Sequence, residues 1–453
     1  MNSPIPLDQV RSIDQLWPNP LVYPAVDLMR HVRSYDREAL RSHYLRQSIL
    51  GAEVWANYVV NLWEYERGVQ ELTSRPWNIT IPITEVCNAK CTFCSSPLVP
   101  APEETTVEQI RYFGEALRYA IRVSLQGLGE PLAHPQFEAI AEEIKKYLNP
   151  VASLEMITNG WLLSGHRYEL LKEIRLHSLQ ISVNAASDRT HQIAMGSKPG
   201  TFDRVLKNIE GVLADKDGPP WAKVSMVITR HSLPEVEQFL ELFTRMGLKF
   251  FQFNALLPIT TADWGFGHLQ QYLDLWCGYL PNAAELVAEA QQAIAAYRKK
   301  GLSITATPEQ WLQPIDQRSN RDLVQLSASP SAPREMNANS PDEVAADMRV
   351  SAVNANGLPQ GTLEDHGPNK AVRIYCPMVY NTLSVFHHSL DVSTCCYMET
   401  APGHEHPSLK GQSLSDAYND AGFRLVRRSL HANRRIPVCE SCPYDGVRRA
   451  ALS

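Results

Sequence analysis

Three cysteines fall within eight positions in the stretch EVCNAKCTFCSS: Cys87, Cys91 and Cys94, spaced C-x3-C-x2-C. The thiolate of cysteine is a soft metal ligand. Thiols packed this closely in a chain of 453 residues point to metal before they point to disulfides. A closed zinc site takes four protein ligands, and iron–sulfur clusters also usually take four cysteines. Three on one short loop either leave one metal position open to a substrate or cofactor, or are completed as a zinc site by a remote His or Cys.

A second group lies far along the chain at Cys376, Cys395, Cys396, Cys439 and Cys442, the last two as C-x2-C. A C-x2-C pair with two further thiolates also suits a structural zinc knuckle. Cys277 stands alone and reads as a buried, inert thiol. His387, His388, His404 and His406 read as solvated loop residues in preference to ligands.

The chain is 44% hydrophobic and 20% charged, ordinary globular values, and its net charge of −6 carries no electrostatic footprint for nucleic acid. The first residues, MNSPIPLDQV, have neither the charged start nor the apolar run of a signal peptide. No apolar stretch reaches membrane-spanning length, and EVWANYVVNLW is broken by Asn57 and Asn61. The expectation is a soluble, cytoplasmic protein with no membrane partner.

The elements that must position the cysteines are legible in the periodicity. Residues 1–75 read as helical, from apolar steps of three and four. From Trp77 onward β-rich runs alternate with amphipathic stretches. NITIPITEV, IRVSLQGLGE, SLEMITNG, SLQISVNAAS, AKVSMVITR and KFFQFNALLP read as strands with their following loops. TVEQIRYFGEALRYA, FEAIAEEIKKYL, RYELLKEI, TFDRVLKNIEGVL, EVEQFLELFTRMG and NAAELVAEAQQAIAAYRKKG read as helices, the first capped by Thr105 or Thr106. Such alternation implies parallel pairing through helical crossovers, hence a partial or full α/β barrel over residues 76–316. In such barrels chemistry gathers at the C-terminal ends of the strands, and the three-cysteine loop follows the first strand. Residues 317–370, rich in Ser, Pro, Ala and Asn, read as a flexible linker or insertion. Residues 371–453 form a small cysteine-bearing domain.

With Phe93 just before its last cysteine, the C-x3-C-x2-C loop after strand one resembles that of the radical S-adenosylmethionine (SAM) superfamily. The resemblance implies a partial (β/α)6 TIM-like barrel, here with the N-terminal helical region read above and a small C-terminal α+β cluster-binding domain. It implies a 4Fe–4S cluster whose three irons are held by Cys87, Cys91 and Cys94, the fourth being chelated by SAM. GLGEPLAHP resembles the family's Gly-Gly-Glu-Pro loop, with Gly127, Gly129 and Glu130 at its SAM-contacting positions and Leu128 where the second glycine usually stands. ITNG, with Thr158 and Asn159, resembles the loop after strand three. SVNAAS resembles the strand-four segment that offers Ser182 or Asn184 to SAM, and Arg230 ends strand five.

The C-terminal group resembles the SPASM/twitch extension, in which Cys-Pro, a β-hairpin, a one- or two-cysteine element, a helical stretch and a final C-x2-C follow in order. The resemblance implies one auxiliary 4Fe–4S cluster on Cys376, Cys395 (in preference to Cys396), Cys439 and Cys442. It implies reductive SAM cleavage to a 5′-deoxyadenosyl radical, hydrogen abstraction from a substrate, and an electron donor such as flavodoxin or ferredoxin. With one auxiliary cluster the expected outcome is dehydrogenase-like oxidation of a sugar- or aminocyclitol-like small molecule. Alternatives are maturation of a ribosomal precursor peptide, a redox-neutral dehydration or decarboxylation, and, for a non-enzyme, a zinc-stabilised interaction protein.

Overall fold

The computed structural model describes residues 71–94, 96, 101–150, 152–256, 274–313, 378–385, 390–394 and 406–431, with scattered positions between 54 and 70. The expected linker, the cysteines at 376, 395, 396, 439 and 442, and His387, His388 and His404 lie outside the described residues. So does almost all of the expected helical region 1–75 up to residue 67, where the described positions between 54 and 65 are helical.

In chain order the main elements are β1 (Asn78–Ile81), α1 (Val107–Tyr112), α2 (Gly114–Tyr119), β2 (Arg122–Leu125), α3 (Phe137–Tyr147), β3 (Ser153–Thr158), α4 (Gly165–Glu173) and β4 (Ser178–Ser182). Then come α5 (Asp188–Met195), α6 (Thr201–Ala214), β5 (Trp221–Ile228), α7 (Val236–Arg245), β6 (Phe250–Ala255), α8 (Ala283–Lys299) and β7 (Ser303–Thr305). The C-terminal part adds α9 (Met378–Asn381), β8 (Thr382–Val385), β9 (Val392–Ser393), α10 (Leu414–Tyr418) and α11 (Ala421–His431).

The strands form one open sheet in the order β7-β6-β5-β4-β3-β2-β1-β8-β9, parallel throughout except for the β8–β9 pair. The sheet is a partial barrel, as expected, with differences at both ends. The short run LSITATP contributes β7, a seventh parallel strand beyond the six read from the sequence, because Phe250, Phe251 and Gln252 of β6 offer it an unpaired edge. At the other edge β8 pairs with β1, placing Thr382 beside Asn78 and Ser384 beside Thr80.

Each strand buries one face. Ile79 and Ile81, Val123 and Leu125, Leu154 and Met156, Leu179 and Ile181, Val224 and Met226, and Phe251 and Phe253 all lie in the core that the helices cover. The intervening residues form the opposite face. The sequence TVEQIRYFGEALRYA, read as one helix, is two. Thr106 and Gln109 form a capping box that starts α1. The helix breaks at Phe113 and Gly114, where Gly114 lies so close to Tyr147 that a Cβ would come 2.9 Å from its ring.

The β8 edge is fastened by buried polar groups. The guanidinium of Arg427, on α11 and fully buried, donates to the carbonyls of Val379 (2.9 Å), Tyr418 (2.7 Å) and Gln70 (3.0 Å). The N–H of Trp77 donates to the Asn381 carbonyl at 3.0 Å. Buried Glu64 accepts from the Thr73 N–H at 2.6 Å and the Thr73 hydroxyl at 2.7 Å. Of these, the bonds from Arg427 to Gln70 and from Trp77 to Asn381 join the segment before β1 to the segments on either side of β8.

Candidate active site

The cysteine loop is shaped by α5. The N–H of Lys90 donates to the Met195 carbonyl and that of Thr92 to the Ala194 carbonyl, both at 3.0 Å. The last carbonyls of a helix have no partner within it, and here the loop supplies one for each of these two. The helix ends at Gly196 in the left-handed region (φ 60°), and a Cβ there would lie 2.6 Å from the Lys90 carbonyl. Only glycine meets both demands. Within the loop Cys94 donates its N–H to the Cys91 carbonyl at 3.2 Å, and the Ser96 N–H lies 3.4 Å from Cys94 Sγ. Phe93 packs against the Leu256–Leu275 pair on one side and the Ala89–Ala194–Met195 patch on the other.

Cys87, Cys91 and Cys94 are half-buried thiols, none of them in a disulfide. Burial pushes the Cys87 thiol up to about 11, with the charge of Glu130 adding to it. Burial, then the neighbouring Cys94 and Cys87, push Cys91 well above the usual thiol range. Cys87 and Cys91 so placed hold their protons in the absence of a cation, whereas a bound metal deprotonates a thiol outright. The Sγ of Cys91 is 3.5 Å from the thioether of Met195, which also accepts from the Asn184 amide at 3.0 Å.

The turn after β2 is threaded against this loop. The N–H of Gly129 donates to the Thr84 carbonyl at 2.9 Å, and that of Glu130 to the Val86 carbonyl at 3.0 Å. A Cβ on Gly129 would meet both carbonyl oxygens at 2.4 Å. The Glu130 carboxylate, 2% exposed, accepts from the N–H of Leu132 (3.1 Å), the hydroxyl of Thr158 (2.7 Å) and the N–H of Asn159 (2.6 Å). Burial raises its pKa and the three donors oppose that rise. Gly127 is exposed.

The loops after β3 and β4 complete the ring. Asn159 Nδ2 donates to Asn88 Oδ1 at 2.6 Å, and Asn159 Oδ1 accepts from the Trp161 N–H at 3.0 Å. Asn184 adopts φ 61° and spends its carbonyl oxygen on the Val227 N–H at 2.9 Å. Short polar Asn tolerates that left-handed conformation. The Ser182 hydroxyl lies 3.4 Å from that of Ser225. Arg230 donates its N–H to the Leu275 carbonyl at 2.8 Å and its Nε to His231 at 3.3 Å. Cys87, Cys91, Cys94, Gly129, Glu130, Thr158, Asn159 and Asn184 thus form one bonded neighbourhood. Ser182, Arg230 and Gly127 lie on strands and loops of the same end without a direct bond to it among the contacts described here.

Asn88, Met195 and Gly196 escaped the sequence reading. The signal was present: Ser187 before DRTHQIAM and Gly196 after it are a helix start and stop. The donor set suits an iron–sulfur cluster, three soft thiols from one loop with no disulfide among them. Beside them Trp161 Nε1 is buried and has no partner among the described residues, a donor awaiting an acceptor next to the thiols. Among the described residues no three His, Cys, Asp or Glu converge on a single-ion position, and no helix is long and apolar enough to cross a membrane.

Residues 81–243 match the family described as the Radical SAM superfamily. The AdoMet-dependent heme synthase of Methanosarcina barkeri is 30% identical over 197 residues, 42% of this chain and 54% of that protein. The probable GTP 3′,8-cyclase of Methanosarcina mazei is 27% identical over 159 residues, 34% of this chain and 46% of that protein. The chain thus spans about half the length of the curated relatives it matches. The crystal structure of Streptococcus suis SuiB bound to precursor peptide SuiA aligns with a TM-score of 0.50 at 14% identity, covering 82% of this chain and 70% of that one, a likeness of fold. Residues 81–243 thus match the radical SAM superfamily, on an open α/β barrel of the kind that family implies, and the family implies a 4Fe–4S cluster and SAM.

Proposed function

We propose that the chain is a radical SAM oxidoreductase that acts on a polar small molecule of sugar or aminocyclitol type. One arrangement carries the reading: the loop of Cys87, Cys91 and Cys94 is tied to the Gly129–Glu130 turn, which is tied in turn to Thr158 and Asn159. Bound there, a 4Fe–4S cluster and SAM supply reductive cleavage of the sulfonium and a 5′-deoxyadenosyl radical.

The chain's own residues hold, orient and shield. Cys87, Cys91 and Cys94 would hold the cluster. Phe93, Gly127, Gly129, Glu130, Thr158, Asn159, Ser182, Asn184 and Arg230 hold or support the SAM side, with Glu130 fixing the β2 and β3 loops to each other. The helical layer on the apolar face of the sheet keeps water from that side of the barrel. Cys376, Cys395, Cys439 and Cys442 are the proposed ligands of one auxiliary 4Fe–4S cluster, and a flavodoxin or ferredoxin is the proposed electron donor.

Anaerobic purification tests the proposal. The expected protein is brown, carries iron and sulfide for about two clusters per chain, and releases 5′-deoxyadenosine from SAM on reduction. A colourless protein with stoichiometric zinc and no SAM cleavage would overturn it and support the interaction scaffold instead.

A further inference from the structure

The face of the sheet turned away from the helices is polar to an unusual degree for parallel strands, which are mostly apolar on both faces. The register aligns Ser124, Glu155, Ser178 and Trp221 in one row across β2 to β5. Gln180, Lys223, Phe250 and Ser303 make the next row, and Ser182, Ser225, Gln252 and Thr305 the one above it. Two hydrogen-bonded chains climb this face toward the C-terminal strand ends, where the cysteine loop lies. One runs from Lys223 Nζ to Gln252 (3.2 Å) and on to Asn254 (2.8 Å). The other joins Gln180 to Ser225 (3.2 Å) and Ser225 to Ser182 (3.4 Å).

At the foot of these chains is a cavity of about 310 Å³ lined by Ser153, Glu155, His177, Ser178, Trp221, Lys223 and Phe250. Ser153, Ser178, Trp221 and Phe250 are the first residues of β3, β4, β5 and β6, so the cavity opens at the end of the barrel opposite the cysteines. Its volume is that of a small-ligand pocket. Trp221 is 47% exposed and meets Phe250 with ring centroids 4.8 Å apart and planes 56° to each other, an angled apolar wall beside the polar rows.

Charge decides what this cavity takes. Arg122 and Glu155 neutralise each other through Nε and Nη2 at 2.8 and 2.6 Å. Lys223 bonds only a neutral amide among the contacts described here, and no carboxylate is within ion-pair distance of it among the described residues. One positive charge is left over in a place where burial disfavours it: desolvation lowers the Lys223 pKa, the Glu155 charge opposes that fall and the Arg122 charge adds to it. A charge held partly out of water, with the nearby Glu155 carboxylate already paired to Arg122, is costly, and an incoming anion offsets that cost.

Resting on the reading above, we propose that the substrate carries an anionic group, carboxylate or phosphate, which Lys223 binds at the N-terminal mouth of the barrel. A ring-shaped polar body lies against Trp221 and Phe250, and Ser153 and Ser178 of the same lining bond its hydroxyl or amide groups. The anion anchors the far end of the substrate, leaving its other end directed at the cysteine side.

Trace labelling of the anaerobic full-length protein with acetic anhydride, followed by peptide mass mapping, tests this. Lys223 should be acetylated, and either inorganic phosphate or succinate should slow its labelling about threefold or more at saturating concentrations while exposed Lys299 is unaffected. Protection by phosphate alone identifies a phosphorylated substrate, and protection by succinate a carboxylated one. Absence of labelling at Lys223, or labelling that neither anion slows, overturns the anion site. Release of 5′-deoxyadenosine by the same unlabelled protein reports separately on the radical SAM reading, so the two can fail independently.

Discussion

The hydroxyl of Thr158 donates to the carboxylate of Glu130 at 2.7 Å, across two loops that leave adjacent strands. This bond and the neighbouring one from the Asn159 N–H, at 2.6 Å, occupy both carboxylate oxygens inside the protein. Glu130 therefore acts first as a fastener, holding the β2 and β3 loops in register beneath the cysteines. Replacing it by Gln turns an acceptor oxygen into a donor facing donors. We expect Glu130→Gln to destabilise the fold by about 1–3 kcal/mol, as for a buried group left unsatisfied, measured by urea unfolding. An unchanged midpoint would show that the carboxylate has no fastening role.

Gly129 offers a sharper steric test. A methyl there would have to sit 2.4 Å from two backbone oxygens, those of Thr84 and Val86, neither of which can rotate away. Gly129→Ala should push the turn off the cysteine loop and lower bound iron severalfold after anaerobic reconstitution. Iron content equal to wild type would mean that the loop tolerates the shift.

Each of Cys87→Ala, Cys91→Ala and Cys94→Ala should abolish reductive release of 5′-deoxyadenosine, because each removes one of three thiols that share a site. Intact release in all three variants would dismiss this loop as the cluster site.

Cys439→Ala combined with Cys442→Ala should behave differently. Reductive SAM cleavage should persist while oxidised product fails to form, as read by chromatography of the reaction mixture. Normal product yield would show that this pair has no part in the oxidation.

His191, on the helix that clamps the cysteine loop, gives a pH dependence. It is fully buried between Trp161 and Phe202, with Nδ1 2.7 Å from the Ser197 hydroxyl, and burial lowers its pKa to about 4. The unfolded chain binds the proton more readily, so stability is complete above about pH 6.5 and is lost as pH falls toward about 4. The loss is on the order of 3 kcal/mol. His191→Gln should flatten the unfolding midpoint over that interval, and an unaltered pH profile would assign the acid sensitivity to other groups.

Most of this architecture is legible from local pattern. The alternation of strand and helix from Asn78 to Lys299 follows from periods of two and of three to four, and the thiol spacing is visible without any structure. What escaped is what depends on contacts between distant residues. Nothing near Met195 or Asn88 in sequence says that a helix end will clamp the cysteine loop or that an amide will meet Asn159. The helix α5 is faint in the sequence because eight residues with five polar side chains make a weak pattern. The polar rows of the sheet were hidden for another reason: single Ser, Gln and Lys residues in strands are unremarkable until register lines them up.

The seating of β8 beside β1 also has a consequence for biosynthesis. About 300 residues separate the two strands, which a ribosome adds in roughly 15–60 s. Throughout that interval the strand leading into the thiols has a bare flank, open to any passing strand. Newborn chains released early should therefore stick to one another, and a nascent-chain binder that shields the flank would raise the yield of soluble, metal-loaded protein.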